Sequence, residues 1–162
     1  MPIADQDRII EVLHEDECRR LLTTAAIGRI AYTEGALPAI QPVHFTVHDG
    51  QILIPTRLGS KVAAASRGAV VAFEVDGYDA GDRTGWNVTV IGASRVIRNP
   101  AEVAALDTLG TRAWAPADIR CYIAVSVAVL RGRRIGPRPS AAQPDDASPG
   151  HPMAHGIPAA TG

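Results

Sequence analysis

IGRIAYTEGALPAIQPVHFTVHDGQILIPT, residues 27–56, is the stretch on which the fold turns. Across Ile27–Thr33 apolar and polar side chains alternate, which is the two-residue period of a strand with one face buried. Glu34–Pro38 (EGALP) reads as a turn, and Ala39–Val47 as a second strand. His48-Asp49-Gly50-Gln51 is a hairpin signal, because Asp-Gly tolerates the positive φ angles of a tight turn. Gln51–Thr56 is the returning strand. Two successive hairpins predict antiparallel pairing, since a parallel partner would need a crossover of a dozen or more residues.

Outward from this stretch the pattern persists. Upstream, Leu21, Leu22 and Ala25 fall at helical spacing behind an Asp-rich start, predicting a short helix over 16–25. Downstream, LGSKVAAASRG (58–68) reads as a short helix closed by Gly68, VVAFEV (70–75) as an apolar strand, and DGYDAGDRTG (76–85) as a polar loop. WNVTVIGASRVI (86–97) is a long β-branched strand whose Gly92 predicts a bend. NPAEVAALDTLG (99–110) carries an Asn99 cap, Pro100 at the first helical position and Gly110 at the end, and YIAVSVAVLRGRRI (122–135) gives a last strand. The expectation is an α+β, mainly β domain of about six strands with two or three short helices: a small antiparallel β-barrel.

The chain has 162 residues, 16 basic and 17 acidic, and a formal charge of −1. That length fits one domain plus additional chain, and the charge lacks the basic footprint of a nucleic-acid binder. From Pro137 to Gly162 the composition shifts to proline, alanine and glycine without aromatics, so the reading is a folded domain over 1–136 and a disordered tail over 137–162. Cys18 and Cys121 could form at most one bridge and no leader peptide or spanning segment is visible, so the expected setting is a reducing cytoplasm without membrane contact.

No dinucleotide fingerprint, Walker A loop or nucleophile elbow is present, and no acid, base or nucleophile constellation identifies a catalytic residue. His14 with Cys18, and His151 with His155, supply two metal-type ligands each, too few for a site, so no metal is expected. Polar residues interrupt the apolar pattern in three places: Gln41–Phe45, Pro55–Lys61 and Gly85–Val88. The second has the chemistry of a phosphate cradle. Thr56 and Ser60 offer hydroxyls, Lys61 and Arg57 offer charge, and Gly59 lets a ligand approach the start of a helix whose free N–H groups favour anions. The same residue types also suit a strand-to-helix turn with a capping serine and a solvated lysine. Lys61 is the single lysine beside fifteen arginines.

The sequential order of the short helix, GRIAYTEGALPAIQPVHF (28–45), the hairpin, IPTRLGSKVAAA (54–65), VVAFEVDGYD (70–79) and GWNVTVIGASRVI (85–97) resembles the pyridoxamine 5'-phosphate oxidase-like family of FMN-binding split β-barrels, over residues 12–135. The resemblance implies a homodimer with the flavin in a groove between subunits, acting as an oxidoreductase that passes hydride to a small-molecule substrate. It places Val43, His44 and Phe45 against the isoalloxazine ring and Thr56, Ser60 and Lys61 at the phosphate, with Arg57 beside them. Asn87, with Trp86, would reach the flavin of the partner subunit. True pyridoxamine-phosphate oxidases end in a tryptophan- and arginine-bearing segment; here LRGRRIG (130–136) keeps Arg131, Arg133 and Arg134 without a nearby preceding tryptophan, so vitamin B6 oxidation is not the expected reaction. Alternatives on the same fold are the deazaflavin F420, which Arg57 and Arg67 would serve, a non-catalytic flavin carrier, or a haem protein using His44 or His48.

Overall fold

The computed structural model describes residues 8–60, 62–63, 66–110 and 121–138. Among these it forms nine strands: β1 (Arg8–Leu13), β2 (Ile27–Glu34), β3 (Leu37–His44), β4 (Thr46–His48), β5 (Gln51–Thr56), β6 (Val70–Asp79), β7 (Thr84–Ile97), β8 (Cys121–Ser126) and β9 (Val129–Pro137). Two helices accompany them, α1 (Glu15–Leu22) and α2 (Pro100–Asp107). Every pairing is antiparallel, in the order β3-β2-β6-β7-β8-β5-β4, with β9 bonded to both β7 and β1. The sheet curls without closing, as a split β-barrel does.

The curl originates at Gly92. Before it, Gly85–Ile91 pairs with β9; after it, Ser94–Ile97 pairs with β8. At that switch the backbone of Ser126 approaches so closely that a Cβ on Gly92 would lie 1.7 Å from its carbonyl oxygen. Glycine here is a steric requirement, and the bend expected from the sequence is where one long strand serves two halves of the barrel. Inside, Phe73, Ile30, Ile52, Ile54, Val75, Val88, Val90, Ile123 and Val125 are fully buried, and α1 adds Cys18, Leu21 and Leu22. A smaller cluster of Leu53, Ile97, Val103 and Tyr122 seats α2 on the outside of β5, β7 and β8. Asn99 caps α2 as expected, its Oδ1 accepting from the amides of Ala101 (2.9 Å) and Glu102 (3.2 Å).

Several sequence expectations need correction. The strand over 39–47 is two, because the chain leaves β2 at His44 and pairs with β5 from Thr46, turning Phe45 into the core between them. The strand over 122–135 is likewise two, since β8 joins β5 and β9 joins β7 and β1. The loop expected over 76–85 shrinks to 80–83: Asp76 and Tyr78 are polar or exposed because they point out of a strand that continues, not because the strand has ended. β1 was not expected at all; Ile10 and Val12 are exposed there, and its partner lies more than a hundred residues away. In the helix expected over 58–68, Val62 and Ala63 are helical and the Ser66 amide donates to the Val62 carbonyl at 3.0 Å. The domain boundary at 136 falls inside β9, and residues 139–162 of the expected tail lie outside the described residues. Cys18 and Cys121 are buried and unbridged, and burial pushes both thiols up. No helix among the described residues is long and apolar enough to cross a membrane.

α1 is tied to β9 by Arg134, which donates to Glu17 at 2.5 Å. That bond, and then the arginine's charge, hold the Glu17 carboxyl below its usual 4.5. A lowered acid contributes stability above its unfolded pKa and loses it as the pH falls through the folded one. The melting temperature should therefore fall on acidification below pH 4.5, and more steeply than in Arg134→Gln, where the contribution is missing at every pH. Parallel acid-melting curves for the two proteins would show the pair to be inert.

Candidate functional site

A groove of about 450 Å³ opens where the end of β3 meets the end of β5, lined by Ile27, Gln41, Pro42, Val43, His44, Pro55, Thr56, Arg57, Ser60 and Val62. The sheet topology creates it. Ile27 faces His44 across the β2–β3 pair, whereas Thr56 closes β5 opposite Cys121, so two polar segments twelve residues apart become opposite walls. Two of the three polar segments found in the sequence are thus one site. Ile27 and Val62 were not foreseen as wall residues, because as apolar side chains in apolar elements they carry no signal of their own.

At the floor, the Thr56 and Ser60 hydroxyls are 2.9 Å apart, and Ser60 Oγ also accepts from the amide of Ala63 at 3.2 Å. Ser60 therefore caps the helical turn that follows, the acceptor arrangement of a serine N-cap. Its own amide donates to the Arg57 carbonyl at 3.1 Å, closing the Arg57–Ser60 turn. Gly59 takes φ +84° there, and a Cβ at that position would meet nothing within 4 Å. The hydroxyl pair can be counted. Each hydroxyl carries one proton. One proton is spent between the two oxygens, and Ser60's remaining acceptor capacity is spent on Ala63, so one hydroxyl proton remains to be donated outward. A cap with an unspent proton, beside a tight glycine turn and the exposed Arg57, is an arrangement that could accept an anion.

The other site residues expected from the sequence divide. Val43 and His44 line the groove with Thr56, Arg57 and Ser60. Phe45 stands behind it, 7% exposed, its ring edge-on to Phe73 with centroids 4.7 Å apart, so it supports the wall from the core. Lys61 lies outside the described residues. His48 sits at the β4–β5 hairpin with Nε2 3.2 Å from Asp49 and does not line the groove. Trp86 and Asn87 border a different cavity of about 430 Å³ with Glu74, Asp76 and Arg133. Being consecutive in a strand, they point to opposite faces: Asn87 shares a face with Asp76 and Arg133, and Trp86 with Gly77 and Arg134. Within one chain, then, the structure does not bring Trp86 or Asn87 to the groove. Among the described residues no three His, Cys, Asp or Glu side chains group as a metal site.

The face carrying Asn87 is itself unusual. Residues directly opposite in antiparallel strands share a face, and following the registers from β1 through β9, β7, β6 and β2 to β3 places Ile10, Val12, Ile135, Tyr78, Val70, Ile27 and Ile40 on one side. Those are seven of the ten large apolar side chains exposed among the described residues. Between them Arg29 bonds Asp76 (3.2 Å) and Glu74 (3.4 Å), while Arg131 and Arg133 stand across β7. Desolvation, then the charge of Asp76, raises the Glu74 carboxyl above its usual value.

Comparison with known proteins places this geometry. A family model described as pyridoxamine 5'-phosphate oxidase matches residues 14–134. An uncharacterized protein of Mycobacterium tuberculosis, Rv0080, is 38% identical over 133 residues, covering 79% of this chain and 87% of its own. Among solved structures, an FAD binding protein from Mycobacterium smegmatis superposes with a TM-score of 0.63 at 30% identity, over 76% of this chain and 96% of its own. A conserved protein of unknown function from Corynebacterium diphtheriae gives 0.61 at 26% identity, over 76% and 96%. With its curled antiparallel sheet, its groove between β3 and β5 and a match spanning most of its length, the chain belongs to the pyridoxamine 5'-phosphate oxidase family.

Proposed function

We propose that the groove binds a flavin nucleotide by its phosphate, that two copies of the chain complete the site, and that the protein is a flavin-dependent oxidoreductase acting on a small-molecule substrate. The observation that carries the reading is the Thr56–Ser60 pair with its unspent proton at the head of a helical turn. FMN is the smallest flavin nucleotide, and it carries a phosphate monoester. FAD is the second reading, favoured by the name of the M. smegmatis neighbour. When bound, the flavin supplies the hydride chemistry, and the protein supplies binding, orientation and access. Thr56 and Ser60 would hold the phosphate, with Arg57 at the mouth, while Val43 and His44 form the wall available to the ring.

The exposed sheet face supports the second copy. Isolated surface hydrophobics are ordinary, but seven aligned on one sheet face mark an interface. Its charges are self-complementary: the Glu74 and Asp76 stripe of one copy can meet the Arg131 and Arg133 stripe of another about a two-fold axis near β7. In such a pair Asn87 of the partner, on the covered face, becomes available to the groove.

The absorption spectrum of the purified protein tests the cofactor, with FMN, FAD and F420 added separately to the colourless form. FMN at ~100 times its dissociation constant should add ~2.7 kcal/mol to stability. A Soret band, or a melting temperature unmoved by any flavin, refutes the reading. Sedimentation should show a dimer that Val12→Glu with Tyr78→Glu dissociates; a wild-type monomer that still binds FMN fully would refute the two-copy site alone.

A further inference from the structure

A third cavity, of about 440 Å³, lies where β1, β9 and the β6–β7 hairpin meet, sharing Gly77, Trp86 and Arg134 with the cavity that Asn87 borders. Two cross-strand rows build it. One runs Glu11–Arg134–Trp86–Gly77 and the next Ile9–Gly136, with Thr84 and Asp79 continuing it. Glycine empties one position in each row. At Gly77 the space is taken by the indole, since a Cβ there would lie 2.5 Å from Trp86 Nε1, and the ring is thereby laid against the sheet. At Gly136 the space stays open: a Cβ would meet only Thr84 Cγ2, at 4.0 Å. The result is a shelf with the Trp86 indole on one side, Ile9 on the other, and charged groups at the rim.

Those charges are unevenly committed. Arg134 is spent on Glu17, and Arg8 is turned to the hairpin tip, where it donates to the carbonyls of Arg83 and of Asp82 (3.0 Å). Asp79 Oδ1 accepts from the Asp82 amide at 2.9 Å and keeps its other oxygen, and Glu11, exposed and across from Arg134, forms no hydrogen bond or ion pair among the described residues. The unspent charge facing the cavity is negative, beside an aromatic face that attracts cations. Its size is within the range of small-molecule sites.

We propose that this cavity is a binding site for a small organic cation carrying a flat ring, with Trp86 and Ile9 taking the ring and Glu11 the ammonium. Ile9, Glu11, Trp86 and Gly136 lie on the other face of the sheet from the proposed interface, and Tyr78 and Ile135 of that interface border the cavity at its edge. The probe is tryptamine, with indole-3-acetate as the same ring bearing the opposite charge, titrated calorimetrically into the full chain. Tryptamine should bind below about 1 mM and indole-3-acetate about tenfold more weakly or not at all. Glu11→Gln should weaken tryptamine about tenfold. Gly136→Val, whose Cβ would meet only Thr84 Cγ2, at 4.0 Å, should fill the shelf and abolish binding while leaving the melting temperature and FMN binding as in the wild type. The proposal is overturned if tryptamine fails to bind at about 5 mM, if indole-3-acetate binds as tightly, or if Glu11→Gln binds tryptamine like the wild type; should Gly136→Val unfold the protein, Glu11→Gln decides alone.

Discussion

Replacing Gly92 by alanine is expected to cost about 3 kcal/mol or more, the upper end of the range for overpacking a well-filled interior. The added Cβ would sit 1.7 Å from the Ser126 carbonyl oxygen, 2.7 Å from its carbon and 2.9 Å from its hydroxyl. None of these can retreat cheaply. Ser126 ends β8, whose residues back to Cys121 are paired with β5, and the Ser126 hydroxyl is held on the Ala93 carbonyl at 3.1 Å. Relief must come from opening the junction between the two barrel halves. For a domain of this size about 3 kcal/mol lowers the melting temperature by roughly 10 °C. Gly136→Ala is the matched control, because its Cβ would have ordinary contact at 4.0 Å. Equal melting temperatures for Gly92→Ala and Gly136→Ala would refute the steric account of the curl.

The second large effect is on ligand affinity and depends on counting protons. Thr56→Val removes one hydroxyl but frees Ser60 to donate outward, and Ser60→Ala leaves Thr56 free to do so. Each single variant should keep FMN within a few-fold of the wild-type affinity, Ser60→Ala losing the more because the cap on Ala63, typically ~1 kcal/mol, goes with it. The double variant has no hydroxyl left. A hydrogen bond to a charged group contributes ~1.5–3 kcal/mol, so FMN binding should weaken by about 10- to 150-fold, well beyond the sum of the singles. Fluorescence titration with FMN measures all four proteins. Large and additive losses in the singles would show that the two hydroxyls do not share a proton, leaving the phosphate site standing. A double variant that binds like the wild type would remove the phosphate from this floor altogether.

How much of this was legible in the sequence follows from the range of each signal. Asn99 before Pro100, the Asp49-Gly50 hairpin and the Gly92 bend are local devices whose chemistry sits within a few residues, and all three stand where the sequence placed them. The polar segments at 41–45 and 55–61 were visible because polar residues stood out in apolar strands, and they do form two walls of one groove. Phe45 carried the same signal by adjacency and sits in the core, since a one-residue step in extended chain reverses the side chain. For the same reason Trp86 and Asn87, neighbours in sequence, serve different faces.

By itself, then, the sequence determined the antiparallel strand pattern, the caps and turns, and the residue types of the groove floor, because period, propensity and donor chemistry are properties of short segments. Only the tertiary structure decided that two apparent strands each change partner midway, that β1 exists by pairing with a strand at the other end of the chain, and that Thr56 and Ser60 share a proton. Those are outcomes of which distant backbone each edge meets, and the free energy that selects them comes from burying the core between the two halves of the barrel.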